Sequence, residues 1–298
     1  MGDTVDFQIT ITLPEDIKYY DSSYVLEIED EMTDGFKLDK SSIKAVSDKG
    51  TLSYTMSNDT DITFDLSFTD VYSLVVNDGA TKITVTYSAT LTEDATVYTS
   101  STTYDKNEVT LTYSNDPHDS SSEGTATDTV ANYTYQVEFK KVANSASGPA
   151  LEDAEFELYE SNGTTEIKLA YDGSADIYYP SSTGSDTIVT QADGVFYIVG
   201  LDAGTYIIKE TQAPTGYKNV GDTVIIITNG GYSGDTISGV NLQVDSDTAA
   251  DITSRTVAIV NVRESALPET GGIGTLIFYV LGASLISFGS FIIYKRRT

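Results

Sequence analysis

Three polar residues of different chemistry each end an apolar row in a predicted β-strand. Because side chains alternate between the two faces of a strand, every second residue shares a face. The three rows lie within 135–141, 205–211 and 256–262, and they end on Lys141, Glu210 and Asn261. In the third segment the opposite face is apolar as well, so the parity of positions, meaning which residues share a face, is less decisive about which face is buried. An amine, a carboxylic acid and a carboxamide are therefore predicted to face the interior.

If these three groups meet in an apolar interior, they can react. Burial without partners is costly and favours the neutral amine of Lys141 and the protonated acid of Glu210. A neutral amine is a nucleophile, and Glu210 can hydrogen-bond and polarise the Asn261 carbonyl and pass a proton to the departing ammonia. The product would be a Lys141–Asn261 amide. Parity alone favours a simpler alternative, an uncrosslinked ion pair of Lys141 and Glu210 with Asn261 nearby.

The elements that must position these residues are predicted to be strands. Short alternating segments rich in Val, Ile, Thr and Tyr are separated by Gly, Asn, Asp and Ser clusters, and no segment before residue 265 sustains a helical period over three turns. This pattern predicts an all-β chain of two antiparallel sandwiches in tandem, at 1–130 and 131–264. We expect the polar segment 115–132 to be a linker; a long hairpin loop is the alternative.

Composition excludes several classes of function. The chain of 298 residues has a formal net charge of -28, which makes nucleic acid a poor partner. It has no cysteine and one histidine, His118, so zinc sites built from Cys and His and histidine-based triads are excluded. The acidic clusters lack the glycine and terminal glutamate of an EF-hand, and we expect turn acids rather than a metal site. No cofactor and no enzymatic turnover are predicted.

The C-terminal segment 265–298 combines three features in a fixed order. The pentapeptide Leu267, Pro268, Glu269, Thr270, Gly271 precedes an uncharged stretch, 273–294, and the chain closes on Lys295-Arg296-Arg297. As a helix that stretch would be about 33 Å long, enough to cross a bilayer core of about 30 Å. The arrangement resembles the cell-wall sorting signal of Gram-positive surface proteins. It implies that a sortase cleaves between Thr270 and Gly271 after transient membrane insertion; an ordinary membrane anchor is the alternative.

The segment 133–264 resembles the collagen-adhesin B-type (SpaA-like) domain of Gram-positive pilins. The resemblance rests on three strings, namely Lys140-Lys141-Val142 with 151–159, the E-box 206–217 (YIIKETQAPTGY), and Ile259-Val260-Asn261. In that family the positions of Lys141, Glu210 and Asn261 form an intramolecular isopeptide bond, with the acid as proton shuttle. The resemblance thus favours the crosslink over the ion pair. Ala143 departs from the family's usual Asp but does not touch the trio.

The segment 2–117 resembles the A-type middle domain of backbone pilins. The matching strings are Gly2–Phe7, Ile28–Met32, Ile83–Ala89 and Asn107–Asn115. The family implies a second crosslink, whose acceptor would be Asn107 or Asn115 and whose acid would be Asp30 or Asp65. The family's lysine lies upstream of the first strand, and no export signal precedes the alternating residues 5–13, so we expect a piece of a longer precursor. The family's Pro-Lys motif is absent, and 104–107 resembles it only weakly, in a predicted strand connection.

These resemblances imply a structural subunit of a sortase-assembled pilus, extracellular and anchored to cell-wall peptidoglycan through Thr270. Its partners would be a sortase, neighbouring pilin subunits, peptidoglycan and host surface ligands. The alternative is a single-copy surface adhesin that binds a host or matrix ligand. Residues 262–266 span at most about 18 Å, too short to carry one domain through a thick wall, and this favours the polymerised shaft.

Overall fold

The alternating segments of the sequence form strands of two successive β-sandwiches, and the all-β tandem prediction is confirmed. The protein is seen here in a computed structural model that describes residues 1–20, 23–234 and 236–264. The predicted sorting motif and apolar helix lie outside those residues. Within the described ranges, no helix is long and apolar enough to cross a membrane.

The first domain packs a three-stranded sheet against a five-stranded one, in the orders β1-β6-β3 and β4-β5-β2-β7-β8. Two short helices, the 3-10 turn Glu15–Tyr19 and α1 (Val71–Val76), lie between strands. The strands are β1 (Thr4–Thr12), β2 (Leu26–Met32), β3 (Phe36–Ser47), β4 (Ser53–Ser57), β5 (Thr63–Thr69), β6 (Lys82–Leu91), β7 (Asp105–Ser114) and β8 (Glu123–Asn132).

The expectation of a linker at 115–132 is wrong, because these residues form a hairpin turn and strand β8, as in the hairpin alternative. β8 pairs antiparallel with β7 from Glu123 opposite Ser114 to Asn132 opposite Asp105. The strand escaped detection because it lies at a sheet edge and is held by backbone hydrogen bonds, so its exposed side chains show little apolar alternation. The turn is closed by the Asn115 N–H, which donates to the Ser122 carbonyl at 3.1 Å.

The second domain contains a five-stranded sheet in the order β12-β13-β15-β9-β22, facing a sheet in the order β11-β10-β16-β17-β20-β21 with β14 beside β10. Its strands are β9 (Tyr135–Ala143), β10 (Glu155–Glu160), β11 (Glu166–Ile167), β12 (Leu169–Asp172), β13 (Ile177–Pro180), β14 (Ile188–Val189), β15 (Val195–Leu201), β16 (Gly204–Gln212), β17 (Thr223–Thr228), β18 (Tyr232–Ser233), β19 (Thr236–Ile237), β20 (Asn241–Val244), β21 (Ala250–Asp251) and β22 (Thr256–Asn261). The 3-10 turn Ile252–Ser254 precedes the last strand.

The prediction of purely antiparallel sheets fails at two places in this domain. β22 runs parallel to β9, and β13 runs parallel to β15. A parallel pair needs a long crossover connection, and everything between the first and last strands of the domain serves as one for β9 and β22. The consequence is that the two ends of the domain lie side by side in one sheet.

The two domains are joined by a short connection and a packed interface. Only residues 133–134 separate β8 from β9. Thr134 pairs with Val97 of the first domain, its carbonyl accepts from the Tyr98 N–H at 2.7 Å, and its hydroxyl donates to the Thr96 carbonyl at 2.9 Å. Five tyrosine rings pack around this junction with centroids between 5.3 and 6.1 Å apart: Tyr98, Tyr104, Tyr133, Tyr135 and Tyr232.

A buried carboxylate fixes the first-domain segment that reaches this interface. Asp105 is 1 % exposed; its Oδ2 accepts from the Thr96 N–H at 2.6 Å and its Oδ1 from the Thr33 hydroxyl at 2.8 Å. Gly35 packs directly against it, because a Cβ at position 35 would lie 2.4 Å from the Asp105 Cγ. The carboxylate cannot move away from an added methyl group without losing these hydrogen bonds.

Gly35→Ala is expected to lower the free energy of unfolding of the first domain by about 1–3 kcal/mol, as overpacking does at other tight sites. The matched control is Gly221→Ala, since nothing lies within 4 Å of a Cβ at that position; its effect should stay within about 0.5 kcal/mol. Chemical denaturation of both variants tests this. Equal stability of the two variants would contradict the role given to the Asp105 contact.

Candidate functional site

Lys141 lies near the end of β9 and is fully buried. The row Tyr135, Val137 and Phe139 leads to it on the inner face, as parity predicts, and all four residues are at most 1 % exposed. Its backbone is held on both sides, because its N–H donates to the Gly194 carbonyl at 2.8 Å and its carbonyl accepts from the Leu151 N–H at 3.0 Å. A Cβ at Gly194, whose φ is +72°, would lie 2.5 Å from the Lys141 carbonyl oxygen.

Asn261 ends β22 beside it. In the parallel register Lys141 is opposite Ile259 and Ala143 is opposite Asn261, so Lys141 and Asn261 share the inner face two positions apart. Asn261 is 0 % exposed. The Lys141 ammonium nitrogen, Nζ, donates to the Asn261 Oδ1 and to the Ile259 carbonyl at 3.3 Å. The first and last strands thus bring amine and carboxamide into direct contact.

Glu210 reaches the pair from the facing sheet. It lies on β16, opposite Phe156 of β10, and its side chain is 0 % exposed. The Asn261 Nδ2 donates to its Oε1 at 2.9 Å and to its Oε2 at 3.1 Å, and the Lys141 Nζ lies 3.1 Å from Oε1. The structure therefore brings all three predicted residues together across the core of the sandwich.

Electrostatics at the site favours a reactive amine. Desolvation lowers the pKa of Lys141 below its usual value, and the charge and hydrogen bond of Glu210 oppose that shift without cancelling it. The Phe156 ring, 5.8 Å from Nζ, adds to the apolar surroundings. A buried lysine in such surroundings has a larger neutral fraction than one in water, and only the neutral amine can attack a carbonyl carbon.

One detail differs from the expectation for Glu210. Its carboxyl group contacts the amide nitrogen of Asn261, while the carbonyl oxygen faces Lys141. The reason is hydrogen-bond complementarity, because a carboxylate oxygen accepts and the amide NH2 donates. In this arrangement the acid lies against the group that would leave as ammonia rather than against the carbonyl that would be polarised.

In the first domain the structure brings together Asp30 and Asn107 but not the alternative residues. Asp30 is 0 % exposed, and its Oδ2 accepts from the Asn107 Nδ2 at 3.1 Å. Asn115 lies instead in the exposed hairpin turn, bonded to Ser122. Asp65 is on β5, opposite Glu29 and Ser57.

Tyr87 completes the first-domain cluster and was missed in the sequence. Its hydroxyl donates to the Asp30 Oδ2 at 2.5 Å and accepts from the Asn107 Nδ2 at 2.7 Å. The signal was present, since Tyr87 places a hydroxyl within the inward row of β6, which is otherwise apolar: Ile83, Val85, Ala89 and Leu91. Among the described residues nothing partners the Oδ1 atoms of Asp30 and Asn107.

A groove of about 470 Å³ opens beside this cluster, between the free edges of β1 and β8. Phe7, Ile9 and Val109 line it with Tyr87 and Asn107. Its lining is mixed, because polar residues such as Gln8, Thr10 and Thr129 line it as well.

The weak match to a Pro-Lys motif at 104–107 does not lie in a strand connection as expected. Lys106 belongs to β7 and forms a partly exposed ion pair with Glu108 at 2.9 Å. The sortase-recognition residues 267–271 lie outside the part of the chain described.

Comparison with known proteins agrees with this fold. Residues 135–238 match the sequence family described as SpaA, prealbumin-like fold domain. That range includes Lys141 and Glu210 and ends before Asn261. No protein of curated function matches the chain in sequence.

Solved structures resemble both domains together. The group B streptococcus pilus 2b backbone protein superposes with a TM-score of 0.61 and 21% identity, over 90% of this chain and 96% of that one. The 35 kDa C-terminal fragment of the major pilin GBS80 of Streptococcus agalactiae gives 0.63 and 21%, over 87% and 93%. The pilus backbone RrgB of Streptococcus pneumoniae gives 0.54 and 16%, over 88% and 93%. The tandem arrangement is thus a fold that these pilus proteins share.

Asp30 should make the stability of the first domain depend on pH. Desolvation raises the pKa of Asp30 from 3.8 to about 6, against the opposing hydrogen bonds from Tyr87 and Asn107. Because the pKa of Asp30 is higher in the folded than in the unfolded chain, its contribution to stability is full below about pH 4 and is lost as pH rises through about 6. Asp30→Asn removes the charge, so above pH 7 it should be more stable than the wild type by up to about 3 kcal/mol, and this advantage should vanish near pH 4.

Calorimetric unfolding across that pH range measures the difference. Asp119→Asn is the control with the opposite sign, because hydrogen bonds from the Ser121 hydroxyl and N–H lower the pKa of this exposed aspartate. For this pair, the free energy of unfolding of the wild type should rise relative to that of Asp119→Asn as pH increases. A pH-independent difference for Asp30→Asn would show that its carboxyl group is not held in the way described.

Proposed function

We propose that this chain is a structural subunit of a sortase-assembled pilus, stiffened by a covalent bond between Lys141 and Asn261. The observation that carries the proposal is the buried contact of amine, acid and carboxamide at the ends of the first and last strands of the second domain. The likeness to pilus backbone proteins supports it, because that likeness extends over both domains.

The reaction that the geometry supports is an amide exchange. The neutral Lys141 Nζ attacks the Asn261 Cγ, the Nζ–Cγ bond forms, and the Cγ–Nδ2 bond breaks. Glu210 gives a proton to the leaving Nδ2 and recovers one from Nζ, so that one ammonia departs and the acid is regenerated. The event occurs once per chain, without turnover, which fits a structural protein rather than an enzyme.

The bond would join strands that carry the load. β9 and β22 are neighbours and parallel, and they are the entry and exit of the domain. Tension along the chain would pass from β9 to β22 through one amide and leave the enclosed sheets unloaded. The crosslinked residues are 120 positions apart, and closing a loop of that size stabilises the folded state by about 4–5 kcal/mol on chain-entropy grounds.

The C-terminal motif supplies the attachment in this proposal. A sortase would cleave after Thr270 and transfer its carbonyl to an amine of a neighbouring subunit or of peptidoglycan, which places the product on the extracellular cell-wall surface. The Glu264 N–H is still bonded to the Gly216 carbonyl at 3.0 Å, and only two residues separate Glu264 from Leu267. So short a free segment suits a polymerised shaft better than a single-copy adhesin, which needs a long stalk to cross the wall.

Intact-mass measurement tests the crosslink. The wild-type chain should lack the mass of one ammonia, whereas Lys141→Ala and Glu210→Ala should retain their full formula masses. Their free energies of unfolding should be lower by about 4–5 kcal/mol, because the loop is no longer closed. Lys140→Ala is the matched control, because Lys140 is next in sequence but belongs to the opposite face of β9, and it should still lose ammonia. A full-mass wild type would exclude the bond.

Denaturing gels of boiled wall extracts test polymerisation. Cells that carry the native gene of this protein and its sortase should give a ladder of covalent oligomers. Thr270→Ala should abolish the ladder, while Thr215→Ala, at an exposed loop position, should leave it intact. A single wall-linked band from the wild type would favour the adhesin.

A further inference from the structure

The loop of residues 214–220 contacts the chain on both sides of the proposed crosslink. It follows β16 and turns back past the end of β22. The Lys218 N–H donates to the Val262 carbonyl at 3.0 Å, the Glu264 N–H donates to the Gly216 carbonyl at 3.0 Å, and Tyr217 pairs with Arg263. These bonds hold the three residues that follow Asn261, so the loop fixes the end of the last strand.

The same loop holds the acid. The Val220 N–H donates to the Glu210 Oε2 at 2.8 Å, and the Asn219 Nδ2 donates to the Glu210 backbone carbonyl at 2.8 Å. The other carboxyl oxygen, Oε1, is the one nearest to Lys141. The two oxygens of Glu210 are therefore not equivalent, because a backbone N–H binds one of them and the amine faces the other.

This asymmetry decides where an acid proton resides. A backbone N–H only donates, so the oxygen that it binds must act as an acceptor. The Asn261 Nδ2 lies near both oxygens and does not distinguish them. Oε1 also faces the Lys141 Nζ, at 3.1 Å, and a neutral amine can accept, so a protonated Glu210 carries its proton on Oε1. From Oε1 the proton can pass directly to the nitrogen that leaves.

We propose that the 214–220 loop is the positioning element of the crosslink: the Val220 N–H directs the Glu210 proton to Oε1, and Lys218 and Gly216 seat the strand that carries Asn261. The inference rests on the proposed Lys141–Asn261 bond. Val220 acts through Glu210, because its backbone N–H bonds the Glu210 Oε2. The loop also makes the site conditional on folding, since the acid and the carboxamide are held by one loop only after β22 has docked.

Val220→Pro deletes the N–H and tests the inference by the rate of bond formation. The full chain is made by cell-free synthesis, quenched in denaturing acid at intervals, and weighed for the loss of ammonia at several pH values. We expect the variant to form the bond about 10- to 100-fold more slowly, because misplacing a general acid loses part of the roughly 10²–10⁴-fold that a well-placed one contributes, and to show an altered pH–rate profile. Gly221→Pro is the matched control, because among the described residues the Gly221 N–H makes no hydrogen bond; it should react at the wild-type rate.

The Lys141→Ala background separates positioning from folding. No bond can form there, so the change in unfolding temperature on adding Val220→Pro measures the structural effect alone, and we expect it to be small. If Val220→Pro does not fold, a backbone ester at position 220 removes the N–H without the proline ring. If Val220→Pro loses ammonia as fast as the wild type, the inference is wrong and the crosslink stands. The same holds if the reaction is slow but Val220→Pro also lowers the unfolding temperature in the Lys141→Ala background enough to account for the slower rate. A full-mass wild type would instead overturn the crosslink and this inference together.

Discussion

The second domain depends on one constraint, which is that a lysine amine lies where water does not reach it. Lys141 and Asn261 are both 0 % exposed, and the side chain of Glu210 is as well. An isolated ammonium ion in such a place would be strongly destabilising. The amine is therefore compatible with the fold only because the acid and the carboxamide meet it there, and the same desolvation that makes it costly also lowers its pKa and makes it nucleophilic.

The strand topology determines how much of the domain a bond at this site would enclose. The parallel pairing of β9 with β22 places the two ends of a long chain segment side by side, and β16 supplies the acid from the facing sheet. A covalent bond at any other pair of neighbouring strands would enclose less of the domain. The fold thus places the two residues of the proposed bond where one bond would have the largest mechanical consequence.

The first domain contains a related buried cluster with a hydroxyl in place of the amine. Asp30 and Asn107 are buried and hydrogen-bonded to each other, as Glu210 and Asn261 are, and the Tyr87 hydroxyl bonds to both. Two of their oxygen atoms have no partner among the described residues, and a groove between β1 and β8 opens beside them. The two domains form a packed unit. The Thr134 hydrogen bonds and the tyrosine cluster join them, and Asp105 holds the first-domain segment that takes part.

Most strands and the inward faces of Lys141 and Glu210 could be predicted from the sequence, because the two-residue period of a strand is a local property that survives in any β-fold. For Asn261 the pattern was less decisive, since both faces of its strand are apolar. It did not determine β8, since an edge strand is held by backbone bonds that leave no apolar period. It also left open whether Asn107 or Asn115 faced the first-domain acid. Three features became visible only in the folded chain: the parallel pairing of β9 and β22, the orientation of the Asn261 amide, and the hydrogen bonds from the 214–220 loop to Glu210. Each depends on contacts that residue types and their spacing do not specify.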